Sequence, residues 1–117
     1  MNNIYHFVDG KEFKGTSQRT SDVYNPATGE VTAKVYLASK KDLDEVIQNS
    51  LKASVGWANT PALQRARILF KFKELIEKNA DELTKLIVSE HGKVYDDAQG
   101  SLTRGLEVVE FACGIPH

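Results

Sequence analysis

A chain of 117 residues, 41% hydrophobic and 26% charged, has the balance of one small globular domain, and its formal net charge of −1 excludes recruitment to nucleic acid or an acidic membrane by overall electrostatics. No apolar run approaches the ~20 residues of a membrane span, and no basic-then-apolar leader opens the chain. One cysteine, Cys113, excludes an internal disulfide, so a cytoplasmic, reducing location is expected.

The first forty residues read as β structure. Tyr5 to Val8, then Asp9-Gly10, then Lys11 to Phe13 predicts a two-residue hairpin, because Asp-Gly tolerates the positive φ angles of a type I′ turn. Lys14 to Ser21 is polar and without period, hence a loop. Asp22-Val23-Tyr24 resumes an extended run, which Asn25-Pro26-Ala27-Thr28-Gly29-Glu30 breaks with a turn. Beyond it Val31, Ala33, Val35 and Leu37 alternate with Thr32, Lys34 and Tyr36, the period of a strand buried on one face.

From Ser39 the period becomes helical. Ser39 and Asp42 have capping-box spacing, and Leu43, Val46, Ile47 and Leu51 then form one stripe, with Trp57 near the helix end. Thr60-Pro61 predicts a second start, threonine as N-cap and proline in the first turn. That helix carries Ala66, Leu69, Phe72 and Ile76 on one face, broadened by Ile68 and Leu75. Asn79 and Glu82 form a further capping pair before Leu83, Leu86 and Ile87, and Gly92 suits the C′ position of the third helix. A fourth helix is expected over Val94 to Cys113, with Ala98, Leu102, Leu106, Val109 and Cys113 in register. The fold class is therefore α+β, two hairpins followed by four helices. Phe70, Val108 and Phe111 fall outside the main stripes, and helices with so wide an apolar girdle usually pack on more than one neighbour. The expectation is that part of this surface lies against sequence the chain does not contain.

Little of the sequence carries chemistry. Cys113 sits on an apolar stripe with no local histidine to activate it and reads as packing. His6, His91 and His117 share no metal-ligand spacing, so no metal site is expected. Asp96-Asp97, Glu107/Glu110, Lys40-Lys41 and Lys71/Lys73 read as solvated faces. No Gly-x-Gly-x-x-Gly or Walker-type loop is present. Gly92-Lys93 could offer a backbone N–H to an anion, but is complete as a helix stop.

Arg104 is the most informative residue, flanked by Gly100 and Gly105 inside the fourth helix, where each glycine costs about 1 kcal/mol relative to alanine. Two readings stand. The guanidinium grips a carboxylate with paired hydrogen bonds, or it makes an intrahelical ion pair with Glu107. The residue pattern by itself favours the ion pair.

Several strings then carry a family resemblance. Asn25-Pro26-Ala27-Thr28-Gly29-Glu30 before the Val-x-Ala-x-Val strand, Arg65-Ala66-Arg67-Ile68-Leu69-Phe70-Lys71-Phe72, and Glu90-His91-Gly92-Lys93 before a helix resemble the aldehyde dehydrogenase superfamily, in order from about Phe7 onward. Gly105 to His117 is more particular. It is similar to the CoA-acylating branch that oxidises malonate semialdehyde and methylmalonate semialdehyde to acyl-CoA. The resemblance implies an NAD-dependent oxidoreductase, a homo-oligomer (a tetramer), in which a cysteine thiolate attacks the aldehyde, hydride passes to NAD, and the thioester is transferred to coenzyme A with loss of carbon dioxide. It makes residues 1–117 the N-terminal segment, comprising the N-terminal hairpins and part of the NAD-binding domain of an α/β enzyme. The catalytic domain, nucleophilic cysteine, general-base glutamate and oxyanion asparagine are expected outside it, so no catalytic residue is assigned here and the segment alone should be inactive. In this branch an arginine in an Arg-Gly-x-Glu-x-Val-Glu-Phe helix holds the substrate carboxylate. Arg104 matches it with Gly105, Glu107, Val109, Glu110 and Phe111, which reverses the preference in favour of substrate binding. Two alternatives remain: a hydrolytic dehydrogenase for another semialdehyde, and a stand-alone helical interaction module.

Overall fold

A computed structural model describes residues 2–117, which divide into two units, one running to Ala58 and the other from Asn59. In the first unit, β1 (Asn2–Ile4), β2 (His6–Val8), β3 (Lys11–Phe13), β4 (Thr20–Tyr24) and β5 (Val31–Tyr36) precede α1 (Lys40–Asn59). The β2–β3 hairpin has the expected two-residue turn. Asp9 and Gly10 take φ of 54° and 74°, the positive pair a type I′ turn demands, and His6 pairs with Phe13. Its first strand begins at His6 rather than Tyr5, whose ring instead lies 4.6 Å from that of Tyr36.

The second predicted hairpin also forms. Asn25 shapes its turn, its side-chain oxygen accepting from the Ala27 N–H at 2.8 Å while Gly29, at φ 75°, donates to its carbonyl. Thr20 and Ser21, expected in the loop, belong to β4 and pair with Tyr36 and Val35. An unanticipated strand completes the sheet. β1 runs parallel to β5, Asn2 opposite Ala33, giving the order β1-β5-β4. β5 is thus a central strand with pairing on both edges, and Lys34 and Tyr36 are half-buried along with Val31 and Val35, Lys34 meeting Asp22 at 2.9 Å and Tyr36 lying against Tyr5.

The capping box at α1 is present in both directions. Ser39 Oγ accepts the Asp42 N–H at 3.1 Å and Asp42 Oδ2 accepts the Ser39 N–H at 2.7 Å. Asp42 also takes the Thr16 N–H at 2.7 Å and the Thr16 hydroxyl at 2.9 Å, fastening the loop after β3 to the helix start. With three donors on its carboxylate, Asp42 is buried at 1% exposure.

The second unit is helical: α2 (Ala62–Lys78), α3 (Ala80–His91) and α4 (Tyr95–Gly114). Its centre is small. Ala66 of α2, Thr84 of α3, and Ala98 and Cys113 of α4 are the buried residues, so the helices approach closely where side chains are short. Leu69, Ile76, Leu102, Leu106 and Val109 are half-buried around them. The α2 face differs from expectation: Phe72 and Leu75 are exposed, while Lys73 turns inward. Its ammonium meets Glu77 at 2.6 Å and Glu110 of α4 at 3.4 Å, so the aliphatic stem packs while the charge stays paired.

Two helix starts also differ. Pro61, not Thr60, occupies the N-cap of α2, its extended ψ of 146° ending the preceding segment and its carbonyl accepting the Arg65 N–H. Asn79 makes no side-chain cap for α3; its amide reaches back to the Leu75 carbonyl at 2.7 Å and closes α2 instead. Gly92 is the expected left-handed stop, at φ 78°, with its N–H on the Val88 carbonyl.

Candidate functional site

Sequence placed one substrate-binding candidate on α4, and the structure builds a small polar cluster around it. Gly92 ends α3 and Val94, at ψ 154°, carries the chain extended into α4, which leaves Lys93 between the two helices. From there its Nζ donates to Ser101 Oγ at 2.8 Å. Arg104, one turn further along α4, donates from Nη2 to the same oxygen at 3.1 Å, and Ser101 Oγ lies 3.2 Å from the Asp97 carbonyl it donates to.

The alternative reading, an ion pair between Arg104 and Glu107, is not formed among the described residues. Long side chains on a helix lean toward its N-terminus, so the guanidinium folds back over Gly100 and Ser101 rather than forward onto Glu107. A Cβ built on Gly100 would meet Arg104 Nη1 at 3.5 Å, an ordinary contact, and one on Gly105 would meet nothing within 4 Å. Neither glycine is therefore needed for room within this chain, and the side chain of Arg104 is exposed.

Arg104 heads an open apolar stripe. Val108, Phe111 and Ile115 follow it at helical spacing and are 67%, 77% and 67% exposed. The other side of α4, with Ala98 and Cys113, packs inside the helical unit. One face of α4 is thus core, and the other presents a guanidinium followed by three large apolar side chains.

The remaining candidates hold structure. Cys113 is buried and unpaired, as its stripe predicts. A groove of about 420 Å³ runs past Phe70, Lys73, Glu110, Cys113, Gly114 and His117. Its charged members are the Lys73–Glu110 ion pair, and the Glu77 carboxylate, foremost among its partners, holds the Lys73 ammonium above its ordinary range. Asp81 accepts from Lys85 and from the Tyr95 hydroxyl, both at 2.7 Å, joining α3 to the first turn of α4. The Lys85 ammonium, then the Tyr95 hydroxyl, keep that carboxyl below the usual aspartate range. No group of three or more His, Cys, Asp or Glu among the described residues is placed to hold a metal ion, and no helix there is long and apolar enough to cross a membrane.

Sequence reasoning passed over Ser101 and the Lys93 ammonium. Ser101 was visible as the i−3 neighbour of Arg104. Lys93 was not, because its reach depends on the angle of the α3–α4 junction.

Comparison with known proteins places these elements. The aldehyde dehydrogenase family model matches residues 13–117. The malonate-semialdehyde dehydrogenase of Pseudomonas aeruginosa is 44% identical over 117 residues, covering 100% of this chain and 23% of the relative. A Sinorhizobium meliloti 1021 structure described as a methylmalonate-semialdehyde dehydrogenase complexed with NAD is 48% identical, with a TM-score of 0.95, over 100% of this chain and 24% of that one. The methylmalonate-semialdehyde dehydrogenase of Oceanimonas doudoroffii is 46% identical, with a TM-score of 0.93, over 99% and 24%. The chain spans about a quarter of the length of the relatives it matches.

Proposed function

This chain belongs to the aldehyde dehydrogenase family, and from that premise we propose that the complete protein is an NAD-dependent, CoA-acylating dehydrogenase. It converts malonate or methylmalonate semialdehyde to acetyl-CoA or propionyl-CoA with loss of carbon dioxide. The observation that carries this reading is Arg104. Its guanidinium is exposed, has no carboxylate partner among the described residues, and stands at the head of an apolar stripe. A short semialdehyde has the matching polarity, with a carboxylate for the arginine and a small carbon chain for apolar surroundings. Arg104 still has N–H groups beyond the one given to Ser101, enough for two parallel bonds to a carboxylate. Its role is to bind and orient.

The names of the relatives support the semialdehyde, and the NAD complex of the Sinorhizobium meliloti protein supports the nucleotide. The described residues do not themselves fit a dinucleotide. β1 and β5 are parallel, but the chain between them forms β2, β3 and β4, so there is no strand–glycine turn–helix unit to cradle a pyrophosphate. Binding of NAD and coenzyme A, and the reacting cysteine and glutamate, are assigned to the rest of a cytoplasmic homotetramer, and residues 1–117 alone are inactive. The open apolar faces, Phe70, Val108 and Phe111 included, suit a segment that a larger body covers.

Steady-state kinetics on the complete protein test the reading. Arg104→Leu should lower kcat/KM for methylmalonate semialdehyde on the order of 100-fold, the worth of a charge-assisted bidentate contact, and leave propanal within about threefold. Equal losses on both would defeat it. Omitting coenzyme A should abolish thioester formation; an undiminished turnover to free acid would replace the acylating assignment with a hydrolytic one.

A further inference from the structure

We infer that Ser101 is a positioning residue for Arg104 and that Lys93 locks it in place, an inference resting on the carboxylate-binding reading of Arg104. A serine hydroxyl has one hydrogen to donate and two lone pairs to accept with. Lys93 and Arg104 are donors only, so neither can take the hydroxyl hydrogen. It goes to the Asp97 carbonyl at 3.2 Å, and both lone pairs are used, by Lys93 Nζ at 2.8 Å and Arg104 Nη2 at 3.1 Å. The chemistry of the three neighbours thus leaves the hydroxyl one arrangement. Thr103, also on α4, gives its hydroxyl hydrogen in the same way to the carbonyl four residues earlier, Gln99, at 3.0 Å.

Fixing that oxygen fixes one edge of the guanidinium. An arginine side chain has substantial rotamer entropy to lose on binding, and bidentate recognition requires its plane to be set. With Nη2 anchored on Ser101 and Nη1 resting beside Gly100, part of that order exists before the substrate arrives. Lys93 comes from the α3–α4 junction rather than from α4 itself, so it ties the anchor to a second element. It also places a second positive charge on the same oxygen, which raises the local field for an anion without neutralising Arg104. No carboxylate among the described residues lies within ion-pair distance of either cation.

The test is a KM-against-kcat split on the complete protein, with Ser101→Ala, Ser101→Thr and Arg104→Leu assayed side by side on methylmalonate semialdehyde and propanal. Ser101→Ala should raise KM for the semialdehyde roughly five- to tenfold, the fold-change of one ordinary hydrogen bond, with kcat within about twofold and propanal unaffected. Ser101→Thr, which restores the hydroxyl, should return KM to within about twofold of the parent. An unchanged KM in Ser101→Ala, a rise shared by both substrates, or no rescue by threonine overturns the inference. Arg104→Leu separates the two levels. If it is selective for the carboxylated substrate while Ser101→Ala is silent, only the positioning role falls. If Arg104→Leu affects both substrates alike, the carboxylate-binding reading falls with it.

Discussion

The Asp42 carboxylate accepts the backbone N–H of Thr16 at 2.7 Å although 26 residues separate them, and the same group caps α1 through Ser39. One buried side chain therefore holds a loop and a helix start together. Asp42→Ala should accelerate amide exchange at Thr16 and Ser39 by ~10-fold or more, with β4 and β5 much less affected. Ser39→Ala, which removes half of the box, should cost about 1 kcal/mol. Equal exchange throughout the first unit in Asp42→Ala would mean that the contact supports the whole sheet and not this junction.

The same group sets an acid limit. The Ser39 N–H, opposed by burial and helped by the Ser39 hydroxyl and by Thr16, holds the Asp42 carboxyl well below the 3.8 of a free aspartate. A carboxyl depressed in the folded state contributes stability that is fully present above its unfolded value and is lost as pH falls below it. Denaturation midpoints followed downward from about pH 5 should drop more steeply in the parent than in Asp42→Asn. Parallel curves would show that Asp42 does not govern the acid response.

Gly15 is the partner of this arrangement. Its φ of 72° disfavours any side chain, and a Cβ there would stand 3.0 Å from Asp42 Oδ2. Gly15→Ala should destabilise by about 1–2 kcal/mol from the backbone conformation, with displacement of Asp42 adding to it. Gly10→Ala shares the positive φ but meets nothing within 4 Å, so it isolates the backbone share. Equal costs at the two positions would remove the argument from crowding.

In the helical unit Ala66 and Ala98 are buried at 1% and 0% exposure. Ala98→Leu should cost about 1–3 kcal/mol by overpacking, and Ala98→Gly about 1 kcal/mol through helix propensity. A thermal melt unchanged by leucine would contradict close approach of the helices at this point.

Phe111 is 77% exposed within the chain. If the complete protein covers it, Phe111→Ser should lower stability there by about 3 kcal/mol and leave residues 1–117 within about 0.5 kcal/mol of the parent segment. Loss of that contrast would place the residue in solvent in both settings.

Local chemistry was legible in the sequence wherever it is local in space. Asp9-Gly10, the turn over Asn25 to Glu30 with its left-handed Gly29, the Ser39–Asp42 box and Gly92 each act within a few residues, and each formed as read. Asn79 was ambiguous for a physical reason: at a junction of two helices one amide can serve either end, and the Leu75 carbonyl, which also takes the Asn79 backbone N–H, accepted it. The inward face of α2 was misread because period counts apolar residues only, while Lys73 fills its position with a methylene stem and finds Glu110 on another helix. At the candidate site Arg104 stood out through its glycine neighbours and Ser101 was visible three residues before it, yet the group that holds Ser101, Lys93, depends on the fold of the α3–α4 junction. The semialdehyde proposed for the arginine rests on family likeness and not on spacing.

The parallel pairing of β1 with β5 also orders events during synthesis. Asn2–Ile4 leaves the ribosome before the strand it pairs with, which follows about thirty residues later. β4 and β5 can zip as a hairpin as soon as Tyr36 emerges. The earliest-made strand must then find a waiting edge, which makes it the last stave fitted to its sheet.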